Sequence, residues 1–468
     1  MGERTRELLV LITGDIFIFI VSLWFTLLVR YGELPNVNLF EAHLWPFLTL
    51  SFLWLFIFYI SGLYDKHTVF VKSLLVGRIA HAQLINVFLA GVIFLTIPFG
   101  ITPKTNLVIY LGISTILLSL WRLKLFNRLT PKSMYKAVLI ADGDEAIELV
   151  DEVNNNDRYH YSFVRIIDSV TAGNTPDFEK KLQSLMEKEN IDMVVADPKL
   201  PHLAPVLPTL FDLAFIKFEC RFFDFHHVYE ETFDRVPLSS LHYDWFITHV
   251  SQRKRTFYDL VKRGIDILGA LAVGSFFLLL LPFIYLAMRF EGNKQIFMWQ
   301  KRIGQFNTPV WVLKVQTMTK NDVASSTWLV EDEKQKNTVT KVGAILRKTS
   351  IDEMPQAWNI LKGEMSMIGP RNDIEGLGQR LAKDIPYYNI RNFVKPGVTG
   401  WAQTHQFYQG ENISPQSLAE SKMRLAYDLY YVKNRSVWLD IEIALRTIKT
   451  LVSRFGVNFF SSKAGKNV

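Results

Sequence analysis

Long runs of apolar residues dominate the first quarter of the chain. Four of them, at 8–29, 44–63, 84–100 and 105–121, contain few charged residues, and each is close to the roughly 20 residues that span the hydrocarbon core of a bilayer. The first run is longer than the apolar region of a cleavable signal peptide, and no small-residue cleavage pattern precedes Arg30. The pattern therefore predicts a four-helix transmembrane bundle over residues 1–128, with the first helix retained as an anchor.

Between residues 136 and 224 the pattern changes to short apolar runs separated by helix-like segments. The short runs lie at 137–141, 163–167, 191–196 and 217–223, and the helical patterns at 144–154, 177–189 and 203–214. Strands that alternate with helices are typical of a doubly wound parallel sheet. Residues 129–250 are therefore predicted to form an α/β, Rossmann-like cytoplasmic domain.

The first predicted strand of this domain ends in Ala141-Asp142-Gly143-Asp144. A dinucleotide site needs three spaced glycines for a tight turn and for close approach of the pyrophosphate. Here one glycine stands between acidic residues that would repel a phosphate. A structural role, including the formation of a homo-oligomer, is favoured over nucleotide binding.

A fifth long apolar run covers residues 265–288 and contains Pro282, which interrupts the helical hydrogen-bond ladder. Basic residues flank it on both sides, with Arg263 before it and Arg289 after it. A spanning helix would place one basic flank on the outer face of the membrane. The pattern therefore predicts a re-entrant helix that breaks at Pro282 and returns to the cytoplasmic face.

The distribution of basic residues orients the bundle. The loops at 30–41 and 101–104 contain one Arg or Lys each, whereas segment 64–79 contains three and segment 122–136 contains five. Cytoplasmic loops carry the excess of Lys and Arg, so both ends of the bundle are predicted to be cytoplasmic. Asp15 lies inside the first run but near its cytoplasmic end, and an interfacial position is expected for it.

Composition adds two limits. The chain contains 52 Lys and Arg against 45 Asp and Glu, and because the basic residues cluster at membrane exits, anionic lipid headgroups are favoured over nucleic acid as partners. Cys220 is the single cysteine. No intrachain disulfide is possible, which fits a reducing compartment.

Candidate chemistry is concentrated between Thr349 and Arg371. Asp352 and Glu353 are adjacent carboxylates at a predicted helix start, where the positive end of the helix dipole keeps a carboxylate ionised and attracts phosphate. Arg371, behind a Gly-Pro turn, supplies a planar fork for phosphate. Two alternatives stay open: Ser350 to Glu353 is only a capping box, and Arg371 only forms a surface salt bridge.

The C-terminal third carries an ordered series of motifs. They are Gln300, Arg302, Gly304, Lys314 and the runs 346–356, 359–366, 369–371, 395–403 and 427–431. Over residues 256–455 this series resembles the bacterial sugar transferases that act on polyprenyl phosphate. More loosely, the four apolar runs, the α/β region and the stretch 235–238 look like the large multidomain branch of that family.

The resemblance implies an activity and a location. Members transfer a sugar 1-phosphate from a nucleotide diphosphate sugar to polyprenyl (undecaprenyl) phosphate and release a nucleoside monophosphate. This is the initiating step of exopolysaccharide, capsule or O-antigen synthesis. A multi-pass protein of the bacterial inner membrane is implied, with a mostly α-helical catalytic domain, residues 251–468, on the cytoplasmic face.

The resemblance also implies roles for individual residues. Asp352 would be the nucleophile that forms an acyl phosphate, and Glu353 would help to hold a magnesium ion or position the acceptor. Both carboxylates are therefore candidate Mg²⁺ ligands. The candidate phosphate- and substrate-binding residues are Arg371, Arg302, Lys314, Gln300, Lys348 and Lys395.

Several positions depart from the family pattern. Leu281 precedes Pro282 where a serine is usual, Gln316 replaces an arginine, and Asn372 replaces a proline. These departures motivate a second hypothesis, in which a catalytically lapsed member acts as a membrane scaffold for polysaccharide assembly. The retained Asp352–Glu353 pair favours the enzyme.

Overall fold

The structure is a computed structural model of the 468-residue chain. It describes residues 3–64, 72–96, 104–126, 134–156, 159, 161–174, 177–217, 220–250, 255–292, 295–318, 339–406 and 415–454. The chain separates into two compact units, one mainly Met1–Met134 and the other mainly Tyr135–Asn154 with Ser162–Val457. The α/β region and the C-terminal part therefore share one unit. The predicted boundaries at residues 128 and 250 remain predictions.

Four long helices form the first unit. They are α1 (Glu3–Tyr31), α2 (Val37–Ile60), α3 (Lys72–Thr96) and α4 (Lys104–Leu120), which continues into a π-helical turn, Trp121–Leu125. All four contain segments long and apolar enough to cross a membrane, as the apolar runs predict. Helix α3 begins earlier than its run because the preceding segment also has a helical period. Leu27, Trp54 and Phe58 lie in the buried core of the bundle.

Asp15 is completely buried among the helices of this bundle, and its expected position near the membrane interface stays a prediction. Its carboxylate accepts hydrogen bonds from Arg122, with Nε at 3.2 Å, and from the Tyr64 hydroxyl at 2.7 Å. Arg122 also donates to the Leu63 carbonyl at 2.7 Å. Arg122 therefore neutralises a buried carboxylate instead of serving as one of the exposed cations counted at the membrane exit.

The α/β region contains the predicted alternation. Its elements are β1 (Tyr135–Ile140), α5 (Asp144–Asn154), β2 (Tyr161–Ile167), α6 (Ser169–Asn174), α7 (Phe178–Glu189), β3 (Met193–Ala196), α8 (Leu207–Phe211), β4 (Arg221–Asp224), α9 (Phe225–Phe233) and α10 (Tyr243–His249). The sheet has the order β2-β1-β3-β4, and β3 runs parallel to both β1 and β4, with Leu139 opposite Val195. The prediction of a parallel-sheet α/β region is confirmed.

Acidic side chains at the carboxyl edge of this sheet bind the region's own backbone. Asp142 accepts from the Ser169 amide, and Glu145 accepts from the amides of Leu238 at 2.9 Å and Ser239 at 3.2 Å. The carboxylates thus cap neighbouring loops where a nucleotide site would need free amide groups. The expected structural role of this region stays a prediction.

The C-terminal part is mostly helical, as predicted. Its elements are α11 (Thr256–Phe290), β5 (Phe297–Ile303), β6 (Pro309–Val315), α12 (Lys341–Thr349), a 3₁₀ helix (Ile351–Gln356), α13 (Ala357–Lys362), β7 (Ser366–Ile368), α14 (Glu375–Asp384), a second 3₁₀ helix (Tyr388–Phe393), β8 (Gly397–Thr399), α15 (Trp401–His405), α16 (Leu418–Asn434) and α17 (Val437–Arg454). Strands β5 and β6 form an antiparallel hairpin, and β7 pairs with β8 in parallel.

Helix α11 runs without interruption through Pro282, so the predicted break in the helix at this residue is wrong. A proline removes a single amide donor, and the remaining ladder continues when the rest of the helix is held by packing. Phe277, Ile284 and Met288 supply that packing in a cluster with Val315 and Leu346. The re-entrant path therefore stays a prediction, and it requires α11 to bend without losing its helical hydrogen bonds.

The α/β region and the C-terminal part have a common core. Val236 and Trp245 of the former pack with Leu381 and Leu429 of the latter. The Trp401 indole donates to the Asp234 carbonyl at 2.7 Å. These contacts hold α16 between the sheet region and the C-terminal site.

Candidate active site

The β5–β6 hairpin separates polar chemistry from exposed aromatic rings. Because alternate residues of a strand point to opposite faces, Gln300, Arg302 and Lys314 lie on one face, where Gln300 and Arg302 are buried. Trp299 and Trp311 lie on the other face and are exposed. The buried face is directed towards the acidic turn that follows α12.

Asp352 and Glu353 lie in the short 3₁₀ helix Ile351–Gln356. Ser350 precedes it in the left-handed conformation (φ 56°) and makes no side-chain capping bond to it. The capping-box alternative is therefore wrong. This 3₁₀ helix continues directly into α13, so the expected effect of the helix dipole on Asp352 stays a prediction.

Glu353 is held by two cations. Arg371 approaches it as a fork, with Nη1 2.9 Å from Oε2 and Nη2 on Oε1, and Lys314 Nζ lies 2.9 Å from Oε1. Burial alone would raise the pKa of Glu353, but the charges of Arg371 and Lys314 outweigh it and place the pKa well below its usual value. Glu353 is therefore a permanent anion that fixes both cations. The surface salt-bridge alternative for Arg371 is wrong, since this pair is buried.

Asp352 has the opposite environment. Among the residues that the structure describes, none donates a hydrogen bond to its carboxylate. Burial, followed by the negative charge of Glu353, raises the pKa of Asp352 to about 6, against the attraction of Lys314, Arg371 and Arg347. A half-buried carboxylate with no hydrogen bond and this pKa is ionised at neutral pH and is poorly solvated, as a nucleophile requires.

Positive charge exceeds negative charge around this pair. Burial and the neighbouring Arg302 lower the pKa of Lys314 to about 8 despite its bond to Glu353. Burial and Arg371 lower the pKa of Arg302 to about 10, and its guanidinium bonds only neutral groups, Gln300 and Asn372. A cluster in which cations depress one another's pKa is electrostatically suited to an anionic ligand such as a diphosphate.

A second layer of charges holds the backbone of Arg371. Arg391 and Arg424 both donate to the Arg371 carbonyl. Asp373 and Asp428 pair with these two arginines, at 2.6 Å and 2.8 Å from Arg391. Sequence reasoning missed this layer. Asp428 lies within a quoted motif, but nothing in the local pattern shows that α16 faces Arg371.

The model of the family described as "Bacterial sugar transferase" matches residues 257–454. A UDP-glucose:undecaprenyl-phosphate glucose-1-phosphate transferase of Caulobacter vibrioides is 33% identical over 199 residues, which cover 42% of this chain and 72% of that protein. The chain belongs to the bacterial sugar transferase family.

Two further relatives of this chain differ in how much of each sequence the match covers. A UDP-N-acetylgalactosamine-undecaprenyl-phosphate N-acetylgalactosaminephosphotransferase of Aeromonas hydrophila is 34% identical over 199 residues, covering 42% of this chain and 45% of the relative. An undecaprenyl-phosphate glucose phosphotransferase of Komagataeibacter xylinus is 26% identical over 378 residues, covering 78% of this chain and 68% of the relative. The match to the Aeromonas protein thus spans less than half of its length.

The structure brings most of the predicted site residues together. The contacts described above link five of them: Gln300, Arg302, Lys314, Glu353 and Arg371. The charges of Lys314, Glu353 and Arg371 act on Asp352. The predicted residues Lys348 and Lys395 lie elsewhere.

Lys348 is exposed on α12. Its neighbour Arg347 is the residue whose charge acts on Asp352. Lys395 has its charged neighbours on α11, with Arg263 foremost. Adjacent residues of an α-helix point about 100° apart, so Arg347 and Lys348 have different surroundings although they are neighbours in the sequence.

The two predicted magnesium ligands differ in availability. Both oxygens of Glu353 are bonded to cations, whereas Asp352 is open. No group of three or more His, Cys, Asp or Glu residues suited to a metal occurs in the described part of the chain. Magnesium commonly takes one or two carboxylates together with substrate phosphates. The donor set therefore fits an ion held by Asp352 and a bound diphosphate.

Proposed function

We propose that this chain transfers a sugar 1-phosphate from a UDP-sugar to undecaprenyl phosphate and releases UMP. The observation that carries the proposal is the open, ionised Asp352 carboxylate beside a cluster with excess positive charge. The names of the Caulobacter and Aeromonas relatives support this substrate pair. They do not favour the scaffold hypothesis.

The reaction proceeds in two displacements at one phosphorus atom. An Asp352 oxygen attacks the phosphorus that bears the sugar, and the bond to the bridging oxygen breaks, so that UMP leaves with the electron pair. The sugar phosphate is then bound to Asp352 as an acyl phosphate. A phosphate oxygen of the lipid attacks the same phosphorus, the bond between phosphorus and the Asp352 oxygen breaks, and Asp352 leaves with the electron pair as the carboxylate.

The surrounding residues stabilise charge during both displacements. Lys314 and Arg371 offer N–H donors to the diphosphate while Glu353 fixes their positions. Arg302, close enough to Arg371 for their charges to interact, contributes further positive charge while it keeps its hydrogen bonds to neutral groups. Magnesium, when bound through Asp352, would neutralise charge on the leaving phosphate. Glu353 is accordingly a positioning residue.

Helix α11 is proposed to be re-entrant, with the catalytic part on the cytoplasmic face of the bacterial inner membrane. Near its start, Lys262 pairs with Asp440 at 3.0 Å. At its end, the Glu291 carboxylate accepts from the Val342 amide at 3.2 Å. A helix that spans a bilayer has its ends on opposite faces, whereas here one folded part binds both ends.

The acyl phosphate provides the test. Purified protein in detergent is incubated with magnesium and UDP-glucose or UDP-N-acetylgalactosamine, labelled in the phosphate next to the sugar, without lipid acceptor. We expect UMP release close to one equivalent and label on a peptide that contains Asp352. Addition of undecaprenyl phosphate should move the label to lipid.

The matched control is Asp384→Asn, which removes an exposed carboxylate on α14 and should leave labelling unchanged. Asp352→Asn should abolish it, because an amide cannot form the acyl phosphate. Normal turnover by Asp352→Asn would refute the mechanism. Failure of the wild-type protein with every UDP-sugar and undecaprenyl phosphate would favour the scaffold hypothesis.

A further inference from the structure

A polar groove of about 470 Å³ opens beside the cationic cluster. Its lining includes Arg302, Asn307, Glu375, Gln379, Lys383 and Asn389. Arg302 therefore belongs both to this groove and to the site around Glu353. A volume of this size is typical of sites for small molecules, and the amide groups offer both donors and acceptors.

The lining residue Asn307 belongs to a strained turn between β5 and β6. Phe306 (φ 54°) and Asn307 (φ 60°) are both left-handed, and the Thr308 amide closes the turn on the Gln305 carbonyl at 3.1 Å. Asparagine tolerates this conformation, but phenylalanine rarely adopts it. The Phe306 side chain gains no burial in return, since 59% of it is exposed. Strain of this kind at an exposed aromatic residue is typical of functional sites.

The charges of the groove are consistent with an uncharged but polar occupant. Glu375 is neutralised by Lys301 at 2.9 Å, and the Asn307 side-chain oxygen accepts a hydrogen bond from Asn392 Nδ2 at 2.7 Å. Lys383 is exposed on α14 and adds one positive charge. The rest of the lining is apolar and suits the faces of a planar base: Ile303, Pro309 and Ala382.

We propose that this groove binds the nucleoside of the sugar donor. The uracil base stacks on Phe306 and is read by Asn307 and Gln379, and Lys383 binds the ribose or the adjoining phosphate. Arg302 connects the groove to the cations that receive the diphosphate. This inference rests on the proposed function for the identity of the donor, and it adds the residues that recognise its nucleoside.

The test uses UMP as the probe and three variants of the full chain. Two groove variants change the proposed site: Lys383→Ala in the lining and Phe306→Gly in the turn next to it. Arg380→Ala changes the same helix as Lys383, α14, at a position outside the lining. We expect each groove variant to raise the Kd for UMP by about tenfold or more. The KM for the UDP-sugar should rise in parallel, with kcat within about threefold of wild type. Arg380→Ala should change neither constant.

Phe306→Gly also separates function from structure. Glycine is unstrained at a positive φ, so this variant should keep or increase the thermal stability of the protein while it loses affinity for UMP. Unchanged UMP affinity in both groove variants, or no UMP binding by wild type at millimolar concentration, would overturn the inference. UMP binding that depends on the groove in a wild-type protein without turnover would uphold the inference and reject the proposed function.

Discussion

At the scale of single residues, two neighbouring carboxylates have opposite properties because they have different neighbours. Glu353 is buried between Arg371 and Lys314 and stays ionised. Asp352 is desolvated without a hydrogen bond, and its pKa rises to about 6. Such a separation of pKa values within one pair assigns the anchor and the nucleophile.

The pH dependence of turnover should follow from two of these groups. Asp352 must be ionised to attack, so kcat/KM should fall by about tenfold for each pH unit below its pKa of about 6. Lys314 must be charged to bind phosphate, so kcat/KM should also fall above its pKa of about 8. Initial rates of UMP release between pH 5 and pH 9.5 measure both limbs.

Lys314→Arg should move the fall in kcat/KM at high pH to a higher pH and leave the fall at low pH unchanged, because a guanidinium stays charged throughout this range. A profile that stays flat down to pH 5 would contradict the role of Asp352.

Removal of the Asp352 charge should stabilise the fold. Because folding raises the pKa of this carboxyl from an ordinary 3.8 to about 6, the folded state binds the proton more tightly than the unfolded state. The stability of the wild-type protein therefore falls as the pH rises from about 4 to about 6. Asp352→Asn should gain up to about 3 kcal/mol at pH 8, and the gain should vanish near pH 4.

Unfolding of Asp352→Asn and wild type in the same detergent, followed at pH 8 and pH 5, measures this difference. A lower stability of the variant at pH 8 would show that burial of the ionised Asp352 carboxylate does not destabilise the fold.

At the scale of secondary-structure elements, three glycines set the contact between β7, β8 and the loop that carries Arg371. A Cβ added to Gly397 would overlap the Gly369 amide, and one added to Gly400 would overlap the Gly369 carbonyl. The backbones therefore touch where the chain turns towards the site. None of the three has a positive φ, so close approach is the reason for glycine here.

Gly397→Ala should consequently destabilise the protein by about 3 kcal/mol or more, since the atoms in the way belong to backbone that is held on both sides. Turnover should be lost with it, because Arg371 follows Gly369. The matched control is Gly264→Ala on α11, where an added Cβ meets nothing within 4 Å and helix propensity favours alanine. Thermal unfolding and UMP release compare the two. Wild-type stability of Gly397→Ala would disprove the packing argument.

At the scale of the whole molecule, the second unit joins the α/β region to the site through one helix. One side of α16 supplies Arg424 and Asp428 to the charges behind Arg371. The other side contacts the α/β region, where Lys433 pairs with Glu230 at 2.8 Å. The α/β region is therefore part of the structure that supports the site.

The proposed topology of α11 is testable with single cysteines. In a Cys220→Ser background, Arg255→Cys adds a thiol before α11 in the sequence and Lys294→Cys adds one after it. We expect both thiols to react with an impermeant maleimide in inverted membrane vesicles and neither to react in intact cells. Labelling of the two positions from opposite sides would establish a spanning helix and exclude the re-entrant path.

Much of the architecture follows from the sequence alone. Apolar length predicts the membrane helices, and the alternation of short apolar runs with helical patterns predicts the parallel sheet. Both signals are local, since they depend on residues within one element. The order of the motifs also identified the family and pointed to Asp352, Glu353 and Arg371.

Only the tertiary structure decided how those residues are used. The pairing of Glu353 with Lys314 joins residues 39 positions apart, and Arg391 and Arg424 reach the Arg371 carbonyl from distant helices. Asp15 and Arg122, 107 positions apart, form one buried pair. The pKa of a carboxylate depends on burial and on all charges within a few ångströms, and neither quantity is contained in the local pattern. The sequence therefore determined which groups are present, while the fold decided which carboxylate is bonded and which is left open to react.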